Sequence, residues 1–482
     1  MPSIVIGLDI GTTSVSAIAI FDDGRPPESV TLQHNATVSG LPNGRAEQDP
    51  SKLLNSAVSA LQQISAACRE ADIAAIGVTG QMHSTVLLNQ QRRTLRNVIT
   101  WQDRRSLEPC ENGVSPLDEL LRAVPSELMD GTGCRLSPGY MGTTLFALQR
   151  LNELPQDIHS VSFVADWVAS ELSGQSPVTD RSHAASSGLF DLQNDGWQPD
   201  LLTAACVMPD WLPDVRDSGE RIGELTPTMA DATGIRAGTP ICNAIGDNQA
   251  SVISSLPSGD DALLINIGTG GQIVWRLPSF ERINGMDTRY LPAASRNQEG
   301  LFMLVGAGLC GGDAVAWINR TVRQWLSEFG CEVSEADVWM YLNERLTAEA
   351  LETESITCEP FFGGTRVDPQ RRGVFEGVGL HNFTPANIAA GILHGIAESM
   401  HAVYVSAEGR RPHPLRTISM AGNGARRNPL LVDAVSRCFG VPVTVSPCQE
   451  EAATGAAMLA GVHAGLWPDI DAARQFCIVE DA

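Results

Sequence analysis

Two carboxylates stand near two similar turns, and together they set the chemistry open to this chain. Asp9 lies just before Gly11-Thr12 in VIGLDIGTTSVS (5–16), and Asp247, in GDNQA, comes shortly before Gly268-Thr269 in LLINIGTGGQ (263–272). An apolar run ending in Gly-Thr presents backbone N–H groups and hydroxyls beside a strand end, which suits phosphate oxygens. The repeated pattern points to two similar lobes closing on one polyphosphate. From the residues alone, Asp247 reads equally as a proton acceptor or as the N-cap of a helix at Asn248-Gln249-Ala250. Asp9, at the end of an apolar run, is open to a plain turn role.

Lys52 is the only lysine, in PSKLLNSAVSALQQI, which reads as the first turn of a surface helix. This excludes a P-loop and a kinase-type strand lysine, and confines any Schiff base to Lys52. Phosphate must be met by amides, hydroxyls, arginine and a metal. The formal net charge of −23 argues against nucleic acid or an anionic membrane as a partner. The 11 cysteines include no Cys-x-x-Cys pair and read as reduced thiols, which speaks against zinc. With no leader-like opening and no apolar stretch of membrane-spanning length, a cytoplasmic protein is expected.

Regular elements must hold those turns. SIVIGLDI and SVSAIAIF read as a β-hairpin around the first one. Between Asp49 and Cys68, Leu53, Leu54, Ala57, Val58, Leu61 and Ile64 have the spacing of an amphipathic helix. IAAIGVTG (73–80), TVLLN (85–89) and NVITW (97–101) read as strands, and 223–251 ends in a buried strand and the turn bearing Asp247. A second set follows: a helix-like run near Ala250, the strand ALLINIG, and strand–turn–helix units at 301–320 and 417–440. A long apolar helix at 386–405, the strand VPVTVSP and a small-residue helix at 450–466 complete it. This alternation, with a hairpin opening each set, predicts an α/β protein with mixed sheets. A chain of 482 residues requires two domains, placed at 1–249 and 250–482 with a ligand cleft between them.

In order along nearly the whole chain, ten segments resemble the FGGY family of carbohydrate kinases, within the superfamily that also holds actin and the heat-shock ATPases. They are GLDIGTTSVS, EQDP (47–50), GVTGQMHS (77–84), TWQDRR (100–105), AGTPICNAIGDNQAS, INIGTGGQ, PFFGGTR (360–366), GVGLHNFTPANIAAGILHGIAESMH, MAGNGARRNPL and EEAATGAA. The resemblance implies two lobes of the actin-like, ribonuclease H-like ATPase fold, and phosphate transfer from ATP with Mg²⁺ to a sugar. It implies that Asp247 is the base and that Asp9 binds Mg²⁺ through water. Asp247 would share that metal, the two carboxylates facing each other across the cleft. The amide of Gly11, with Thr12 and Thr13, would hold the β- and γ-phosphates from one side; Gly268, Thr269 and Gly270 would do so from the other. Thr13 is equally a plain strand residue. Gly312, Gly424 and Asn428 fall to adenine and ribose, with helix capping and close packing as the alternative. Glu450 and Glu451 stand where a helix starts.

The sugar falls to the first lobe. Gln81, His83, Trp101, Asp103 and Arg104 follow strand ends on one side of the inferred sheet, offering amide, imidazole and carboxylate groups and a flat indole face. Asn248 adjoins the base. Arg104 and Arg105 read either as surface charge or as groups selecting a longer or phosphorylated substrate. GQMH, TWQDRR, GTGC (131–134) and Thr144 resemble the branch that acts on the seven-carbon ketose sedoheptulose, with transfer to its C7 hydroxyl expected. Xylulose, ribulose and glycerol are alternative acceptors, and a non-catalytic nucleotide-dependent sugar sensor is the alternative of another class. A homo-oligomer stays open: PFFGGTR and the helix from Ala386 either meet a second subunit or pack the hinge, and packing is preferred.

Overall fold

The computed structural model describes the chain except residues 258, 260, 284, 294–299, 347–355, 365–367, 369, 408–413, 449 and 478–482. Two mixed sheets share one plan. In the first, Ser3–Ile10 has the antiparallel strand Ser14–Phe21 on one side and the parallel strand Asp72–Gly80 on the other. Glu28–Gln33 extends the hairpin, while Pro240–Cys242 and Ile245–Gly246 run parallel beyond Asp72–Gly80. In the second, Ala262–Ile267 takes the place of the first strand. Gly270–Leu277 and Leu301–Cys310 lie antiparallel on one side, Thr417–Ala421 and Val443–Val445 parallel on the other. Asp287–Leu291 forms the outer edge of this sheet.

The expected strands TVLLN and NVITW shrink to Val86–Leu88 and Val98–Ile99, and they pair with Ser160–Ser162 and Glu47–Gln48 outside the main sheet. Both are too short to span it.

Side chains on the first strand alternate between two faces. Ile4, Ile6, Leu8 and Ile10 share a core with Leu53, Ala57, Leu61 and Ile64 of the helix Pro50–Ala67. Asp49 caps that helix by accepting from the amide of Ser51 at 2.8 Å. Val5, Gly7 and Asp9 belong to the opposite face. There, two helices, Asp247–Ser255 and Glu451–Ala464, lie between the sheets. Their residues share one cluster with Val5, Ile18 and Ile20 of the first sheet and Leu264, Val274 and Val305 of the second.

The approach is backbone to backbone. A Cβ on Gly7 would lie 1.8 Å from Ala453 O, one on Gly77 2.2 Å from Ala456 O, and one on Gly455 1.9 Å from Ala250 O. This explains the small-residue composition of EEAATGAA: larger side chains would hold the helix off the sheet.

The helix Pro385–Ser406 is long and apolar enough to cross a membrane, but it lies in the second core through Ile388, Ile392, Leu393, Ile396 and Met400. The segment before it packs against it: a Cβ on Gly395 would lie 1.9 Å from Cys358 O. Phe362 of PFFGGTR stacks on Trp317 with ring centroids 4.4 Å apart, while Thr365 and Arg366 lie outside the described residues.

Gly7→Ala is expected to lower stability by at least the roughly 1–3 kcal/mol of an overpacked core, because main chain, not a side chain, must give way. Chemical denaturation measures this, and an unchanged midpoint would show that the helix is not seated on Gly7.

Candidate active site

Thr79 lies between Asp9 and Ile245 in the sheet, and Gly80 between Ile10 and Gly246. Asp247 therefore starts about two strand spacings, or roughly 10 Å, from Asp9. The expectation that these carboxylates face each other from opposite sides of the cleft is corrected. Both leave strand ends of the same sheet, because Ile245–Gly246 joins the first sheet. Asp247 is the first residue of the helix Asp247–Ser255, and Gly246 is its cap. The N-cap reading of Asp247 therefore fails too. Its Oδ1 accepts from the amide of Asn248 at 2.7 Å. The backbone ahead of it is held on both sides: Thr79 Oγ1 donates to Ile245 O at 2.7 Å, and Gly246 N donates to Ser182 Oγ at 2.8 Å.

Burial, then the charges of Asp247 and Glu450, hold Asp9 well above the ordinary carboxylate range. Its Oδ1 is buried without a hydrogen-bond partner. Burial also raises Asp247, although the His183 charge, the Asn248 amide and Arg289 pull it back. Glu450, directly ahead of the helix Glu451–Ala464, accepts from Thr31 Oγ1 at 2.9 Å.

His183 is fully buried, with Nδ1 3.3 Å from Asp166 Oδ1 and 3.6 Å from Asp180 Oδ1. Burial alone would lower its pKa. Asp166 first, then Asp180 and Asp247, outweigh burial and push it up to about 9. Sequence reasoning did not single out His183; Asp180 lies three residues before it, and Asp166 comes from an earlier helix.

A cleft of about 950 Å³ is lined by Ser14, Ser16 and Thr31 of the first sheet, by Gly268, Thr269, Gly312, Gly424 and Asn428, and by Glu335, Trp339, Asn343, Arg426 and Glu450. Five expected nucleotide residues thus come together there. Gly11, Thr12, Thr13 and Gly270 do not line it. The Gly11 amide donates to Ser14 O at 3.0 Å and closes its own turn, so its expected phosphate contact is corrected. Thr12 Oγ1 accepts from Trp101 Nε1 at 2.9 Å, Thr13 is exposed, and Gly270 pairs with Cys310 in the ladder. Gly312 and Gly424 also serve packing: a Cβ would lie 2.7 Å from Gly268 O and 2.3 Å from Ile267 Cγ2, respectively. Asn428 caps the helix Pro429–Phe439. Trp339 and Asn343 were not singled out by sequence; their four-residue spacing on the helix Glu335–Arg345 puts them on one face.

A second, much smaller cavity, of about 10 Å³, lies between His83, Tyr140, Thr132, Cys134, Ser182, Gln249, Thr288 and Arg289. It has room for about one water. His83 stacks on Tyr140 with centroids 4.1 Å apart, and its Nδ1 is 2.7 Å from Ser186 O. The cavity beside His83 is not built by the first lobe alone, because Thr288 and Arg289 come from the edge strand of the second sheet.

The remaining expected sugar residues are dispersed. Gln81 is buried and donates to Gln48 Oε1 at 2.8 Å. Trp101 is 41% exposed beside Thr12. Asp103 is corrected to a structural role: it accepts from Arg105 Nε at 2.8 Å and from the amide of Ala46 at 2.8 Å. Arg105 is fully buried and also pairs with Glu47 at 2.6 Å and Glu153 at 3.3 Å, so it is neither surface charge nor a substrate selector. Arg104 is exposed and reaches Pro138 O at 3.4 Å. Asn248 donates to Gln272 Oε1 at 2.7 Å and accepts from Arg289 Nη1 at 3.2 Å.

The FGGY family of carbohydrate kinases, N-terminal domain, matches residues 4–254, and the C-terminal domain of that family matches 263–464. The chain belongs to the FGGY family of carbohydrate kinases. Glycerol kinase of Trichlorobacter lovleyi is 28% identical, with 97% of this chain and 91% of the relative covered. Human sedoheptulokinase is 26% identical, with 95% and 97% covered. The crystal structure of Plasmodium falciparum glycerol kinase with ADP shares the fold, with a TM-score of 0.82, 18% identity, and coverage of 100% of this chain and 93% of that one.

Two outcomes are expected of this FGGY kinase. Asp103→Ala strands the buried Arg105 and should cost about 3–5 kcal/mol of stability, with the KM for sugar in the folded fraction unchanged; a raised KM at unchanged stability would return Asp103 to the sugar. His183 has its pKa raised from 6.5 to about 9, so its charge stabilises the fold below 6.5 and ceases to do so as pH rises through about 9. The stability advantage of wild type over His183→Gln should shrink across that window in denaturation at stepped pH. A constant difference would mean that His183 is neutral.

Proposed function

We propose that this kinase transfers the γ-phosphoryl group of ATP to the terminal primary hydroxyl of a ketose, and that the ketose is sedoheptulose, phosphorylated at C7. The observation that carries the reading is the position of Asp247. It is a desolvated carboxylate at a helix start, with its preceding backbone held by Thr79 and Ser182. The sugar binds beside His83, Tyr140 and Gln249, where the one-water cavity must widen as the lobes separate to admit it. ATP takes the large cleft, with its phosphates toward Gly268, Thr269, Ser14 and Thr31 and its base toward Trp339, Asn343 and Asn428. The fold likeness to a glycerol kinase crystallised with ADP supports that donor.

Asp247 accepts the hydroxyl proton as the new P–O bond forms and the bond to ADP breaks. Its raised pKa brings its basicity nearer to neutrality, where a general base works best. Neutral donors aimed at the transferring group stabilise its charge. Closure of the lobes excludes water and limits ATP hydrolysis.

Asp9 fits a divalent cation. Its buried oxygen has no partner, and the neighbouring charges of Asp247 and Glu450 disfavour its ionisation. Among the described residues no group of three or more His, Cys, Asp or Glu side chains is arranged as a metal cage. A cation held by Asp9, with Asp247 nearby, would complete its shell with water and phosphate oxygens, as Mg²⁺ does. Bound there, Mg²⁺ would supply charge neutralisation for the phosphates.

The choice of sedoheptulose is supported by the GTGC segment, whose Thr132 and Cys134 line the small cavity, and by the human relative. A second reading, glycerol, is favoured by the Trichlorobacter relative. The ratio of kcat/KM for sedoheptulose and glycerol decides between them. Asp247→Asn should lower kcat by on the order of 10²–10⁴-fold while MgADP affinity, measured calorimetrically, is kept. Turnover near the wild-type rate would remove Asp247 as the base.

A further inference from the structure

Arg289 belongs to the second sheet, yet it reaches the small cavity and the residue next to the proposed base. Its strand, Asp287–Leu291, is seated on the GTGC segment of the first half of the chain. Thr288 N donates to Gly133 O at 2.8 Å, and Arg282 Nη1 donates to the same oxygen at 2.8 Å. Gly133 has φ +73°, and a Cβ there would lie 2.1 Å from Thr288 O, so the contact requires glycine. This backbone contact fixes the neighbouring Arg289 in register.

The guanidinium is then held from two sides. Nη2 donates to Asp287 Oδ2 and Nη1 to Asn248 Oδ1, both at 3.2 Å. A guanidinium can only donate, so Asn248 must turn its oxygen to Arg289 and its NH₂ to Gln272 Oε1. The arginine thereby sets the polarity of the side chain beside Asp247. Its side chain is only 14% exposed, and it lines the cavity opposite His83 and Gln249. Its planar fork fits paired oxygens.

We propose that Arg289 is an acceptor-binding and specificity-determining residue that grips a vicinal oxygen pair of a long polyol, beyond the hydroxyl that reacts. The inference rests on the small cavity being the acceptor site, as proposed above. Arg289 is bonded to Asn248, the residue after Asp247, so the oxygens it reads are neighbours of the reacting one rather than the reacting one itself. A ketose of five or more carbons supplies them, whereas glycerol at the base reaches them less fully.

The test compares wild type, Arg289→Gln and Arg289→Lys, with glycerol, xylulose and sedoheptulose as acceptors and with MgATP varied separately. Arg289→Gln should raise KM for the two ketoses by roughly 10- to 100-fold, the loss expected of hydrogen bonds to a charged group. Its KM for MgATP should stay near wild type, and its loss with glycerol should be far smaller than with the two ketoses. Arg289→Lys keeps a charge against Asp287 but lacks the fork; it should show an intermediate ketose KM, and it carries the test if the glutamine variant does not fold. Unchanged ketose KM values, or an equal loss with glycerol, would overturn the proposal. Wild-type protein that phosphorylates none of the three acceptors would instead overturn the functional reading beneath it.

Discussion

Two helices packed backbone to backbone between the sheets bring their N-termini to Asp9, and the active site depends on that contact. Gly7, Gly77 and Gly455 permit it, since a Cβ at any of them would lie within 2.2 Å of a carbonyl oxygen. One helix begins with Asp247, and Glu450 precedes the other. Their N-terminal dipole ends favour negative charge at the place where the carboxylates gather. The same two helices join the sheets in one cluster.

Charge is the second constraint. Asp9, Asp247 and Glu450 crowd a desolvated region, and burial keeps the two aspartates above the ordinary range. Of the cations around Asp247, His183 acts from behind it and Arg289 from beside it. Neither is hydrogen-bonded to Asp9, whose Oδ1 is buried without a partner. The single lysine is on the helix Pro50–Ala67, where its Nζ donates to Asn35 O at 3.3 Å, away from the cleft. The large cleft is accordingly lined by hydroxyls, glycine turns and Arg426 rather than by lysine.

Much of this was legible in the sequence because the signals are local. A hairpin around a Gly-Thr turn, a capped amphipathic helix and strand–turn–helix units are set by neighbours within a few residues, and each was found near its expected bounds. Gly268, Thr269, Gly312, Gly424 and Asn428, expected at the nucleotide, line one cleft for the same reason: each sits at a turn beside a strand or helix end. What was not legible depends on which partner each polar group finds in the fold, near or far along the chain. Asp103 follows a strand end like a ligand-binding residue, but Arg105 and Ala46 engage its oxygens. Gly11 looks like a free amide until Ser14 O is seen to accept from it. The side on which Asp247 stands was decided by Ile245–Gly246, whose short run pairs with the first sheet. Thr288 and Arg289 carry no motif at all; the fit of Gly133 against their strand brings them to the cavity.

The most direct test of the account is the ³¹P NMR spectrum of the product formed from ATP, Mg²⁺ and sedoheptulose. Transfer to a terminal primary hydroxyl predicts ADP and a new monoester resonance split by two methylene protons, in equal amounts. Inorganic phosphate in place of the ester, or an ester coupled to a single carbinol proton, would contradict it.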